Sequence, residues 1–308
     1  MASERPETPP SSPSLPRDKP TEVRCLMTNV EFHLQLNHND TWNMSRLHFH
    51  DFFELLLPLT SPGNIFVNDQ VYPLRRGTLY LIGENTLHRT MATGFHARYV
   101  LHISRKALVE LSTPQTDFTQ LTRDAFRRAT LNPGEMTGLI ELFQALERNK
   151  NDGAFGSDIH QMVALLNLLI RVAPTLNAAT AGESIRNKDF LRVSPILDYI
   201  RDNLSESLTL DQIARRFYIS KHYLCRIFKS ATGFSVMEYI IYSRILRARQ
   251  LLQEGVSVQQ AGELSGFSDN SHFIRTFGHL TGTSPGRYAK EYQAGDQVLL
   301  RDPDHSHG

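Results

Sequence analysis

Residues 209–235 read TLDQIARRFYISKHYLCRIFKSATGFS, and residues 257–284 read SVQQAGELSGFSDNSHFIRTFGHLTGTS. With one extra residue in the second copy, Leu224 falls on Phe273, Arg226 on Arg275, Phe228 on Phe277 and Gly233 on Gly282. Each copy carries the signals of a short helix, a turn and a second helix. Thr209 with Gln212, and Ser257 with Gln260, have the spacing of a capping box. Ser220 in one copy, and Ser268 or Asp269 in the other, stand where a second helix is capped. Gly233 and Gly282 stand where it closes. Leu224, Ile227 and Phe228, then Phe273 and Phe277, repeat at the spacing of a buried helix face. The opposite arcs carry Lys221, His222, Cys225, Arg226 and Lys229, then Asn270, Ser271, His272 and Arg275. Short donors beside a basic rim suit base-edge contacts flanked by phosphate contacts. Between the copies, SVMEYIIYSRILRARQLLQ (235–253) reads as one long helix able to hold the two units rigidly. Two recognition helices about 34 Å apart can read successive major grooves of double-stranded DNA.

The chain of 308 residues has room for about two or three domains. Its net charge of +1 is unevenly spread: residues 186–292 hold 15 Lys/Arg against 10 Asp/Glu, and residues 1–185 hold 17 against 19. The modest basic surplus thus sits on the repeated segment, as a nucleic-acid footprint would. Two cysteines, Cys25 and Cys225, in differently patterned regions argue against a disulfide framework and fit a cytoplasmic protein. No uninterrupted apolar run reaches the ~18–20 residues of a membrane helix. Residues 1–22 are rich in Pro, Ser, Thr and charge, lack the apolar stretch of a signal peptide, and are expected to be a disordered tail.

From 23 to 112 the pattern is strand-like. FHLQL (32–36), FFELLLPL (52–59), NIFVN (64–68), GTLYLIG (77–83) and ARYVLHI (97–103) are separated by turn signals at 37–40, 61–63, 68–69 and 75–77. Short strands at close spacing predict an antiparallel sandwich or barrel. The period then becomes helical. Met136, Leu139, Ile140, Phe143 and Leu146 share one face, and the apolar positions of 158–172 cover more than one. Such a helix is buried against the sheet or shared with a second copy of the chain. Segment 113–173 is therefore read as helical, with self-association open. Residues 174–189 read as a linker, 190–292 as the repeat-bearing domain, and 293–308 as a flexible tail.

The repeat resembles the AraC/XylS family of transcription regulators. LTLDQIA, S-K-H-Y-L-C-R-I-F-K, T-G-x-S, the Arg244 and Ala248 pair, G-F-S-D-x-S-H-F-x-R-x-F and T-G-x-S-P-x-x-Y ending at Tyr288 match in order over about 208–288. The resemblance implies base contacts from His222, Cys225 and Arg226 and from Ser271, His272 and Arg275. Two positions depart from it. Phe277-Gly278 stands for the second F-K, and Ala289 follows Tyr288 where a basic residue is usual. The second unit is therefore expected to bind more weakly or less selectively than the first.

Upstream, RLHFHDFFE (46–54) matches the H-x-H-x3-E motif of cupin barrels through His48, His50 and Glu54. Gly77 through His88 matches the second cupin motif in part. The expected fold is thus multidomain α+β: an N-terminal antiparallel cupin-like β-barrel, then helices, then an all-α domain of two helix-turn-helix units joined by a long helix. The resemblance implies an activator without enzymatic activity or cofactor, with DNA, RNA polymerase and a small polar effector such as a sugar as partners, working as a homodimer. Trp42, Arg46, His48, His50, Glu54 and His88 are the candidate effector contacts. Three His and one Glu also make a workable transition-metal set. Two alternatives therefore stay open: a metal-dependent cupin enzyme fused to a DNA-binding domain, and a constitutive regulator whose barrel only dimerises.

Overall fold

A computed structural model describes residues 21–27, 30–39, 47–61, 63–92, 95–148, 154–179 and 188–293. Of the expected tails 1–22 and 293–308, residues 1–20 and 294–308 lie outside the described residues, as do Trp42 and Arg46, whereas Thr21 and Glu22 belong to a strand and Gln293 to a helix.

The N-terminal lobe is built from β1 (Thr21–Met27), β2 (Val30–Asn39), β3 (Phe53–Pro58), β4 (Gly63–Val67), β5 (Gln70–Leu74), β6 (Thr78–Ile82), β7 (His88–Ala92), β8 (His96–Ile103) and β9 (Phe126–Thr130). All pairings are antiparallel, in two sheets ordered β1-β2-β8-β3-β6-β9 and β5-β4-β7. Successive side chains point to opposite faces, and that alternation organises the lobe. Leu56, Tyr80, Ile82 and Val100 of the larger sheet meet Ile65, Val67, Tyr72 and Leu74 of the smaller one in a buried interior. On its other face the larger sheet lays Phe53, Leu55, Leu57, Leu79 and Leu101 against the helix Pro133–Arg148 and its neighbours. On the smaller sheet, Phe66 and Val71 point away from the interior and into the core of the C-terminal helices.

Among the described residues the expected closed barrel is not seen. Among the described residues the 47–50 stretch touches β7 through one isolated bridge, His48 to His88. The sheets are held together by their apolar interior rather than by a continuous backbone ladder. Three further expectations need correction. The 113–173 segment is not wholly helical, because β9 lies in it and pairs with β6. The 23–112 segment ends in a helix, α1 (Arg105–Leu111), whose Ala107 N–H is capped by Ser104 Oγ at 3.0 Å. The turn read at 37–40 is occupied as far as Asn39 by β2, which pairs with β8 along its length.

Two longer helices follow, α2 (Pro133–Arg148) and α3 (Ser157–Asn177). The linker read from 174 thus begins inside a helix, with Pro174 in its last turn. By length and mean hydropathy (1.4), α3 alone among the described helices would suffice to cross a bilayer. Its Leu165, Leu168, Leu169, Val172 and Leu176 are instead buried against α2 and the larger sheet. Ile159, Val163 and Ile170 face outward.

The C-terminal domain comprises α4 (Lys188–Asp202), α5 (Leu210–Arg216), α6 (Lys221–Thr232), α7 (Val236–Gln253), α8 (Val258–Leu264), α9 (Asn270–Thr281) and α10 (Pro285–Gln293). Its core gathers Val193, Ile196, Leu224, Phe228, Ile240, Ile245, Leu252, Phe273 and Phe277, all buried. Emptying one aromatic site of this kind costs about 3–5 kcal/mol. The turns before α6 and α9 differ. Gly266 takes φ +90°, and a Cβ there would meet the Leu204 carbonyl oxygen at 2.1 Å. Its counterpart Tyr218 takes φ +55° with its side chain almost fully exposed.

Candidate nucleic-acid interface and histidine cluster

Helices α6 and α9 open and close in the same way. Ser220 Oγ accepts from Tyr223 N, and the Asp269 side chain accepts from His272 N. Gly233 and Gly282 close the two helices in the left-handed region. α5 carries the full capping box of Thr209 and Gln212. α8 has half of one: Ser257 accepts from Gln260 N, while the Gln260 side chain meets Ser257 Oγ instead of returning to the backbone.

With Leu224, Ile227, Phe228, Phe273 and Phe277 buried, the predicted contact residues fall on the opposite faces. Lys221, His222, Arg226 and Lys229 are exposed, as are Asn270, Ser271, His272 and Arg275; Cys225 is half-buried. The Arg226 guanidinium lies 5.3 Å from the centre of the Tyr223 ring, which limits its rotamers without burying it. Lys221 Nζ lies 3.1 Å from Asp211 Oδ2. Both are solvent-exposed, so the pair contributes little to stability and leaves the lysine available to a phosphate. The α9 arc has no cation at 278, because Gly278 stands there.

The second constellation lies at one end of the space between the sheets. His48, His50, Glu54 and His88 are all buried, and one donor atom from each lies within 4.8 Å of the rest. His102 of β8, which sequence reading missed, joins them with Nε2 3.1 Å from Glu54 Oε2. Strand alternation was the available signal: His102 sits two residues from Val100, on the interior face. His50 Nε2 lies 3.2 Å and His88 Nε2 3.6 Å from the same carboxylate oxygen. The other ring nitrogens face backbone carbonyls, His50 Nδ1 to Phe52 at 2.9 Å and His88 Nδ1 to Thr86 at 2.8 Å.

A carbonyl only accepts, so Nδ1 of His50 and of His88 carries a proton, and Nε2 is the ring atom each turns toward Glu54. Burial opposes charging His50 and lowers its pKa to about 4 despite the contact with Glu54. Burial alone would raise Glu54, but contacts from His102, His50 and His88 outweigh it and hold the carboxyl well below its usual range. Imidazole nitrogens and a carboxylate therefore converge on one point, as a bound cation would require. Imidazoles anchored through Nδ1 to carbonyls are also how metal-binding histidines are oriented. Tetrahedral donors with ~2.1 Å bonds are about 3.4 Å apart, so the four atoms, within 4.8 Å of one another, would draw in slightly around an ion. His48, His50, Glu54 and His88 thus fit a divalent transition metal.

The lobe and the helical domain meet through specific contacts. Asp51 pairs with the buried Arg249, and Arg89 Nη1 donates to the Gly233 carbonyl. Asp69 accepts from Tyr239 Oη at 2.5 Å and from Arg201 Nη1 at 2.8 Å. Phe66 meets Phe234 edge-on at 4.8 Å.

Paired short helices around a shared core, with exposed polar and basic second helices, define a helix-turn-helix DNA-binding regulator. The helix-turn-helix domain family matches residues 213–291. The Bacillus subtilis regulator YfiF is 29% identical over 258 residues, covering 80% of this chain and 79% of that one. The multiple antibiotic resistance protein MarA of Escherichia coli is 32% identical over 123 residues, 40% of this chain and 97% of MarA. The solved DNA-binding domain of AdpA, a global transcriptional factor in complex with a target DNA, is 27% identical with a TM-score of 0.33, covering 34% of this chain and 95% of that domain. The chain belongs to the AraC/XylS family of helix-turn-helix transcription regulators.

Proposed function

We propose that this regulator reads double-stranded DNA through two unequal recognition helices, α6 and α9. The N-terminal lobe supplies the signal that sets its activity. One observation carries the first part: Arg226 and Arg275 occupy equivalent, exposed positions on two helices that are capped alike. Arg226, His222 and Cys225, and Arg275, His272 and Ser271, face the bases; Lys221 and Lys229 face phosphates, with Asn270 at the mouth of α9. The protein acts in the cytoplasm as an activator that contacts RNA polymerase. It works as a homodimer joined through the outward face of α3, where Ile159, Val163 and Ile170 are exposed.

Selection of binding sites from random duplex DNA tests this reading. The wild-type chain enriches a bipartite sequence whose affinity falls steeply with salt. Failure to enrich any sequence overturns it.

For the signal, the buried and closely grouped ligand atoms of His48, His50, Glu54 and His88 favour an ion over a sugar ring. His48, His50, Glu54 and His88 hold a divalent transition metal, which supplies positive charge at a point where four donors converge. His102 steadies Glu54. Calorimetric titration of metal-free protein with Zn2+, Ni2+ and Mn2+ is expected to give one site per chain, lost in His88→Ala. Absence of any binding removes this reading and returns the lobe to a small polar effector or to dimerisation alone.

A further inference from the structure

The segment 47–51 has two faces, and each belongs to a different domain. His48 and His50 point into the buried cluster with Glu54 and His88. Leu47 and Phe49 point the other way and are part of the apolar core of the C-terminal helices. Phe49 meets Tyr242 edge-on at 6.2 Å, and the Arg249 guanidinium lies 4.9 Å from the centre of the Phe49 ring. At the end of the strip, Asp51 is ion-paired with Arg249, whose side chain is 1% exposed. Arg249 Nη2 also donates to Tyr288 Oη at 3.2 Å, which ties α10 to the same point.

The partners of this strip and of the neighbouring sheet lie along one helix. Tyr239, Tyr242 and Arg249 of α7 meet Asp69, Phe49 and Asp51 respectively. α7 spaces the two DNA-reading units. The lobe leaves Arg226 and Arg275 exposed, so it does not act by covering them. The clamp is also imperfectly satisfied: Asp51 Oδ2 and Arg249 Nε and Nη1 are buried without hydrogen-bond partners. A buried donor left unmade carries a penalty, so this contact holds the two domains less firmly than a fully bonded pair would.

We propose that residues 47–51 form a transmission strip. Occupancy of the histidine cluster shifts Leu47, Phe49 and Asp51 against α7 and resets the spacing and angle between α6 and α9. Regulation then changes which separation of half-sites is read, not whether the reading faces are open. This deepens the proposed reading of the cluster as the signal-receiving site and rests on it. Coupling of this kind is reciprocal, so a change at α7 must be felt at the cluster.

Hydrogen exchange on the full-length chain tests the strip in both directions. His50→Phe, which touches only the cluster side, is expected to quicken exchange of amides 239–252 about tenfold or more. Arg249→Met, on the helical side, is expected to quicken exchange at 48–54 to a similar extent. Tyr80→Phe, in the lobe interior and away from the strip, serves as the control and leaves 239–252 unchanged. If His50→Phe unfolds the lobe, the Arg249→Met arm alone decides. Effects confined to the mutated side in the folded variants overturn the proposal. On DNA, Asp51→Asn is expected to flatten the penalty for adding or removing two base pairs between selected half-sites; the wild-type dependence on spacing in that variant overturns it as well. Titration of the wild type with Zn2+ separates the two levels. No binding removes the metal reading of the cluster, while the exchange arms still judge the strip.

Discussion

Asp51 and Arg249 form an ion pair across the boundary between the sheet lobe and the helical domain, with the guanidinium 1% exposed. Burial lowers the pKa of Arg249, and the Tyr288 hydroxyl partly opposes that shift. Removing one partner of a buried pair leaves the other charge uncompensated, a loss of about 3–5 kcal/mol. Asp51→Ala is therefore expected to lower the urea midpoint of the helical domain. Asp51→Leu combined with Arg249→Met recovers most of the loss, because no charge remains buried. A double variant as unstable as the single one contradicts this account of the contact.

Tyr218 holds a left-handed backbone, φ +55°, where the second copy has Gly266. A non-glycine residue is penalised there, while its exposed ring loses little on removal. Tyr218→Gly is expected to stabilise the helical domain by about 0.5–1 kcal/mol, allowing for the entropy that glycine adds to the unfolded chain. Thermal unfolding checks the sign; a lower midpoint shows that the ring makes contacts this structure lacks.

Gly278 lies within α9, and a Cβ added there would meet nothing nearer than the Thr283 carbonyl at 3.8 Å. Gly278→Lys should therefore gain about 0.5–1 kcal/mol of helix stability. If position 278 faces a phosphate, it should also steepen the slope of log affinity against log salt by about one. An unchanged slope places α9 away from the backbone at this point.

His96 is buried beside Arg98, and burial, reinforced by that cation, lowers its pKa to about 3. A histidine with a depressed pKa in the folded state adds stability that is fully present above the ordinary value of 6.5 and lost as pH falls toward 3. The wild type should weaken between pH 7 and pH 5, and His96→Gln should weaken less over the same window. Equal losses in the two proteins assign the acid sensitivity to other groups.

The repeated helical domain was legible because its signals are local. Capping residues, closing glycines and the spacing of Leu224, Ile227 and Phe228 fix each helix within a dozen residues. The lobe was less so, because a strand declares itself only through its partners. β9 (Phe126–Thr130) has little pattern of its own and exists because β6 offers an edge to pair with. The arrangement of the sheets was likewise set by long-range packing, which the cupin-like motif at His48, His50 and Glu54 did not report. That motif sets His48, His50 and Glu54 at even spacing, and the structure brings their donor atoms together with that of His88. His102 arrives from a strand 48 residues away from Glu54, a separation no local motif spans. The contacts of Phe49 and Asp51 with α7 were invisible for the same reason.

The central claim is that α6 and α9 both read bases. The direct measurement is the affinity of Arg226→Ala and Arg275→Ala for the selected DNA site and for every single-base variant of it, at fixed salt. Each substitution is expected to cost about 1–3 kcal/mol on the selected site and to relax discrimination at its own small set of positions, in separate half-sites. Equal weakening on all sequences, or an unchanged base profile in both variants, would contradict direct reading by these helices.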